Sequence, residues 1–253
     1  MKIKNEWEFN VLGVYHYLKP GEKSNYFDYI IENHNHIEGD IYEAGVFNGA
    51  SLLATGLLLK ELGSSKHVYG FDSFEGFPPV YHEKDELSQF DQLFNKKTIS
   101  EKHYADVQKN KELRSLLMTE ELTVSNISSS ANFVCSSLEG LQRKIKYLGL
   151  DNVHLIKGPF NETMSESQSF PTKIMAGILD CDLYLSYQTA LPFIWSRLSK
   201  GGYIFLDEYY SIKFPGARIA TNEFFDSKQD KPQQHKYSPG DFERWFVRKN
   251  FGF

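Results

Sequence analysis

The chain has 253 residues, of which 41% are hydrophobic and 24% charged, with a formal net charge of −5. That composition fits one sizeable α/β domain, excludes a disordered or fibrous chain, and lacks the Lys and Arg excess that non-specific nucleic-acid binding requires. The opening residues have no apolar stretch of the signal-peptide kind, and the longest apolar run, around Ser51–Leu59, is too short to span a bilayer. Two cysteines, Cys135 and Cys181, lie in apolar surroundings expected of reduced, buried thiols. The expectation is a cytoplasmic protein with neither nucleic acid nor membrane as a partner.

Residues 1–39 read as a helical N-terminal cap with aromatic spacing at Tyr15, Tyr17, Tyr26 and Phe27. A first strand, Asp40–Val46, is followed by a helix over Ala50–Leu62, and a second strand covers His67–Asp72. Residues 80–130, rich in Lys, Glu, Asp, Gln and Asn, break the alternation and read as an inserted lid. A helix over Ala131–Leu148 follows, then strands Val153–Gly158 and Lys173–Asp182, a helix Tyr184–Leu198, and a strand Gly202–Glu208 after a Gly-Gly turn. The tail, Gln234–Arg248, holds two strand-like pieces, HKYS and FERWFVRK, that fit an antiparallel edge hairpin. Strands alternating with helices imply a Rossmann-like, doubly wound, mostly parallel sheet in a single domain, with an antiparallel C-terminal edge.

The first strand runs into EAGVFNGAS, Glu43 to Ser51. Glycines at Gly45 and Gly49 suit a sharp strand-to-helix turn that lets a ligand approach the backbone. The spacing is not the G-x-G-x-x-G of dinucleotide sites, and Glu43 would repel a pyrophosphate, so an NAD-dependent oxidoreductase is disfavoured. A carboxylate there suits a ligand with an ammonium group. Asp72, at the end of the second strand, is placed to accept hydrogen bonds from ribose hydroxyls.

A second signal is a set of acids: Asp180 and Asp182, then Asp207 and Glu208, which close the next strand 27 residues after Asp180. If residues 180 and 182 lie in a strand they share a face, and neighbouring strand ends sit about 4.8 Å apart. Such crowding calls for a cation, and oxygen donors favour magnesium, calcium or manganese over zinc. A cation there can orient a hydroxyl and stabilise its alkoxide while a carboxylate takes the proton, which suffices for O-methyl transfer. The bland alternative makes Asp182 a helix cap and Asp207–Glu208 a solvated strand end.

These stretches, together with VYGFDSFEGFP, LIKGPFNETM, ILDCDLY, GGYIFLDEYY and PGARIATNEFF across residues 39–225, resemble the macrocin O-methyltransferase family of class I S-adenosylmethionine-dependent methyltransferases. The resemblance implies S-adenosyl-L-methionine held by Glu43, Gly45, Val46, Phe47, Gly49, Ser51, Asp72, Ser73, Phe74 and Gly158. It implies Mg2+ on Asp180, Asp207 and Glu208, the last being commonly Asp in the family. Asp182, or Asp180 in a double role, is the candidate base. A sugar acceptor, possibly nucleotide-linked, and a homodimer follow from the same likeness; a catechol-type acceptor is the alternative. Phe74, Phe77, Tyr81 and Tyr209 are candidate sugar-walling aromatics, and Lys157, Lys213 and Arg218 candidate phosphate contacts. His82 and His103 read as exposed lid residues, Phe193 and Trp195 as core, and Trp245 and Phe246 as edge strand.

Overall fold

The computed structural model describes residues 2–165 and 170–250; Met1, which opens the expected cap, lies outside them. In chain order the elements are α1 (Glu6–Leu12), α2 (Ser24–Asn33), β1 (Asp40–Ala44), α3 (Ala50–Glu61), β2 (Val68–Asp72), α4 (Gln89–Asn95), α5 (Glu101–Leu116) and α6 (Leu138–Leu148). There follow β3 (Val153–Lys157), α7 (Phe160–Thr163), β4 (Ile174–Leu179), α8 (Tyr184–Arg197), β5 (Leu198–Leu206), α9 (Pro215–Phe225), β6 (Gln233–Gln234) and β7 (Trp245–Arg248). The sheet order is β3-β2-β1-β4-β5-β7-β6, parallel except for β7 and β6. The chain winds outward from β1 in both directions, so the switch point lies between β1 and β4. Ligands bind at the carboxyl ends of strands at such a point.

Period-two alternation divides the core between the two faces. Ile41, Tyr203 and Phe205 face a cluster built with α1, α2, α3 and α6, whereas Tyr42, Ile204 and Leu206 face one built with α8 and α9. Near the N-terminus Tyr26, Phe27, Tyr29 and Ile30 bury one face of α2, and Tyr29 stacks on Tyr203 with ring centroids 4.7 Å apart. Residues of the expected insertion build their own small core from Phe90, Leu93, Ile99 and Val107, packed against Ile219 of α9. The insertion is also pinned at Asp85, whose carboxyl is 1% exposed and accepts the Tyr184 amide at 2.8 Å. An acid from the insertion, not Asp182, thus receives the first amide of α8.

Several boundaries differ from the sequence reading. The helix expected from Ala131 begins at Leu138, because Asn132 and Phe133 adopt positive φ (53° and 62°), which a helix cannot contain. Cys135, on that irregular stretch, is exposed; Cys181 is buried. The fourth strand ends at Leu179, three residues early, and the first arm of the tail hairpin is Gln233–Gln234, just before HKYS. Phe193 and Trp195 are core, and Trp245 and Phe246 lie on β7. No helix among the described residues is long and apolar enough to cross a membrane.

Candidate active site

A cavity of about 1040 Å³ opens at the switch point. One wall is the loop after β1. Gly45 has φ +88°, and a Cβ there would lie 1.8 Å from the Asp180 carbonyl oxygen, so only glycine passes between β1 and β4. Asp72 organises this wall: Oδ2 accepts the amides of Val46 (2.8 Å) and Phe47 (2.9 Å), and Oδ1 accepts that of Phe74 (2.7 Å). Phe47 and Phe74 both have positive φ, 49° and 55°. The carboxylate therefore holds two non-glycine residues in a sparsely populated backbone region, strain that persists where the surroundings fix it.

Of the ten residues expected at a cofactor, Gly45, Val46, Phe47, Ser51, Asp72, Ser73 and Gly158 line the cavity. Gly49 does not; it begins α3 in a left-handed turn beneath Leu141, whose Cδ1 would lie 2.4 Å from an added Cβ. Phe74 is buried behind the wall. Glu43 is 0% exposed, on the α3 face of β1, where the Ser51 hydroxyl donates to Oε1 at 2.6 Å and Oε2 has no partner among the described residues. Burial pushes its carboxyl up to about 8; the Ser51 bond opposes this, and the nearby Asp180 adds to it.

The opposite wall carries the acids. The β4–β5 register pairs Leu179 with Leu206, so Asp180 and Asp207 follow side by side on adjacent strands. Oxygens of Asp180, Asp207 and Glu208 come within 4.8 Å of one another. Glu208 is buried and accepts the Tyr187 hydroxyl at 2.6 Å; burial, with Asp182 and Asp180 nearby, holds its carboxyl well above the usual range. Asp182 also lines the cavity, but not by strand alternation: it follows the end of β4 with φ +60°. Burial first, then Asp180, raises its carboxyl well above the ordinary value.

Lys23 joins this wall without any signal in its local sequence. Its side chain is 1% exposed, and its ammonium bonds Asp180 Oδ2 at 2.8 Å and Asp207 Oδ1. Burial alone would lower its pKa, but the two carboxylates outweigh burial and raise it. Burial also pushes Asp207 up, yet the ammonium brings it below the usual carboxylate value. Tyr15, Glu22 and Arg244 complete this side; the Tyr15 hydroxyl bonds Glu22, which lies 3.7 Å from Arg244.

Other expected contacts fall elsewhere. Arg218 is buried, donating to the carbonyls of Tyr209 (2.7 Å) and Thr98 (2.5 Å), and does not line the cavity. Lys157 pairs with Glu75 at 3.2 Å, whereas Lys213 does line the cavity. His103 is 1% exposed rather than a surface lid residue; it bonds the Ser211 carbonyl at 2.8 Å, and burial lowers its pKa to about 4. His82 stacks on Tyr184. Of the four candidate walling aromatics only Phe77 lines the cavity, joined by Phe133, Phe160, Tyr210 and Phe242.

The family described as macrocin-O-methyltransferase (TylF) matches residues 25–119 and 105–235. The chain is 28% identical over 177 residues to an 8-demethyl-8-(2,3-dimethoxy-alpha-L-rhamnosyl)-tetracenomycin-C 4'-O-methyltransferase of Streptomyces olivaceus, covering 68% of this chain and 54% of the relative. It is 26% identical over 194 residues to a mycinamicin III 3''-O-methyltransferase of Micromonospora griseorubida, covering 75% and 61%. The chain thus spans between half and two thirds of the length of these curated relatives. In fold it is similar to the O-methyltransferase NovP (TM-score 0.59, 19% identity, 87% of this chain and 80% of that one). It is equally similar to the calicheamicin methyltransferase CalS11 (TM-score 0.60, 17% identity, 96% and 80%). With the family match extending over most of its length, the chain belongs to the macrocin O-methyltransferase family.

Proposed function

We propose that the protein transfers a methyl group from S-adenosyl-L-methionine to a sugar hydroxyl, aided by a divalent cation such as Mg2+. One observation carries the reading: a single cavity has the glycine loop and Asp72 on one wall and four carboxylates on the other. Its volume of about 1040 Å³ suits a nucleoside cofactor together with an acceptor. The Oε2 atom of Glu43, buried and without a partner among the described residues, is the kind of atom that a ligand's ammonium group satisfies. Gly45, Val46, Phe47 and Ser51 border the methionine end of the cofactor, and Asp72 and Ser73 its ribose, with Gly158 at the mouth.

The donor set of Asp180, Asp207 and Glu208 consists entirely of hard oxygens, the chemistry that Mg2+ or Mn2+ takes. Such a cation supplies Lewis-acid stabilisation of negative charge on the acceptor oxygen. Asp182, on the same wall, takes the hydroxyl proton. Phe77, Phe133 and Tyr210 offer faces to the apolar side of a sugar. Lys213 and Arg244, at the same mouth, suit the phosphates of a nucleotide-linked acceptor. The name of the Streptomyces olivaceus relative, an O-methyltransferase of a rhamnosyl-bearing tetracenomycin, supports a sugar acceptor. We further read the protein as a cytoplasmic homodimer with residues 80–130 as an inserted lid.

Calorimetric titration of S-adenosylhomocysteine into wild type and Asp72→Ala tests the reading. Micromolar binding that weakens at least tenfold in the variant is the expected result. Absence of binding by the wild type removes the methyltransferase reading.

A further inference from the structure

Lys23 is a buried cation at the carboxylate wall for which the proposed reaction has no role. Its ammonium lies against Asp180 and Asp207, two of the three residues whose oxygens converge within 4.8 Å. It also sits 5.0 Å from the centroid of the Phe205 ring. Its Cα is fixed, because Lys23 precedes the first turn of α2, whose Tyr26 and Ile30 are 0% exposed. The side chain therefore delivers one positive charge into space that a coordinated cation would fill. A lone pair given to an ammonium at 2.8 Å is not available to a cation, which needs its oxygens at about 2.1 Å.

We propose that Lys23 competes with a divalent cation for Asp180 and Asp207, so that the cluster takes up the cation only as the ammonium swings aside. The inference rests on the reading of this wall as a cation site. The ammonium is a tethered occupant with no translational entropy left to lose, so a free monovalent ion gains nothing by replacing it. A divalent ion gains from its second charge and from Glu208, to which Lys23 makes no bond among the described residues. Tyr15 and Glu22, whose oxygens act electrostatically on the ammonium, offer it a second resting place. The device selects charge and lowers the cluster's affinity for any cation.

The test is calorimetric titration of MnCl2 into the full chain as wild type, Lys23→Met, Arg244→Gln and Lys23→Met/Asp207→Asn, each checked for folding by circular dichroism. Lys23→Met should bind Mn2+ at least tenfold more tightly than wild type, equivalent to about 1.4 kcal/mol. Adding Asp207→Asn should return the affinity to the wild-type value or below. Arg244→Gln removes a cavity cation that acts on Asp207 through its field alone, bonding neither Asp180 nor Asp207 among the described residues, and should shift the affinity less than threefold. Equal or weaker Mn2+ binding by Lys23→Met overturns the proposal, as does the lack of any Mn2+ binding. An equal gain in Arg244→Gln also overturns it, since the effect would then belong to the general field of the cavity. If Lys23→Met does not fold, Lys23→Gln carries the same comparison. S-adenosylhomocysteine titrated in parallel separates the two readings: its failure to bind removes the methyltransferase, while the Mn2+ comparison still decides on Lys23.

Discussion

Consider glutamine in place of Glu43, a change of nearly identical shape at a position with no exposed surface. In the wild type Oε1 accepts the Ser51 hydroxyl and Oε2 has no partner among the described residues, so the ionised form is poorly compensated and burial raises the pKa from 4.5 to about 8. The folded state thus binds a proton that the unfolded state has released throughout that interval. Stability from this group is complete below about pH 4.5 and is lost as pH rises toward 8. The interval is about 3.5 pH units; at about 1.4 kcal/mol each this gives about 5 kcal/mol, an upper bound because water entering the site relaxes the charge. Glutamine carries no such charge, though its amide leaves a donor unpaired at every pH, at a cost of about 1–3 kcal/mol. Urea unfolding followed by circular dichroism at pH 5.0 and 8.5 separates the two effects. The variant-minus-wild-type stability should be more favourable at pH 8.5 than at pH 5.0 by about 2–4 kcal/mol. An identical difference at both values would refute the picture of an uncompensated buried carboxyl.

Other expectations follow from particular contacts. Gly45→Ala combines a positive φ with a Cβ placed 1.8 Å from a backbone carbonyl oxygen, and backbone cannot yield as a side chain can. It should cost more than about 3 kcal/mol or prevent folding, read as thermal midpoint or soluble yield; a near-wild-type midpoint would show that β1 and β4 separate easily. A thiol-specific chromogenic reagent should titrate Cys135 rapidly in the native protein, and Cys181 only slowly or after denaturation. Two fast thiols would mean that the cavity floor opens.

The sheet was legible in the sequence because each strand carries its own signal: an apolar run closed by glycine or an acid, as at Ala44–Gly45, Phe71–Asp72 and Leu206–Asp207. The acids were legible for the same reason, since parallel strands of similar length end together and bring Asp180 beside Asp207. What failed were properties that neighbouring residues do not encode. Asp182 reaches the cavity through a left-handed backbone, not through alternation. Arg218, read as a candidate phosphate contact, is instead held in the interior by two carbonyls from separate segments. Lys23 lies 157 residues from Asp180, and only the packing of α2 against β5 brings them together. A lone lysine before an amphipathic helix gives no hint of that.

The contact between position 45 and the carbonyl of residue 180 has a consequence for anyone redesigning the protein. The loop that follows β1 and the acidic rim that follows β4 are not separable modules, because they share a backbone surface with no side chain between them. A loop transplanted from a relative whose β4 end is pitched differently would collide or leave a gap at that seam. On the proposed function, altering cofactor preference and altering acceptor preference are therefore one engineering problem, best approached by exchanging both strand ends together.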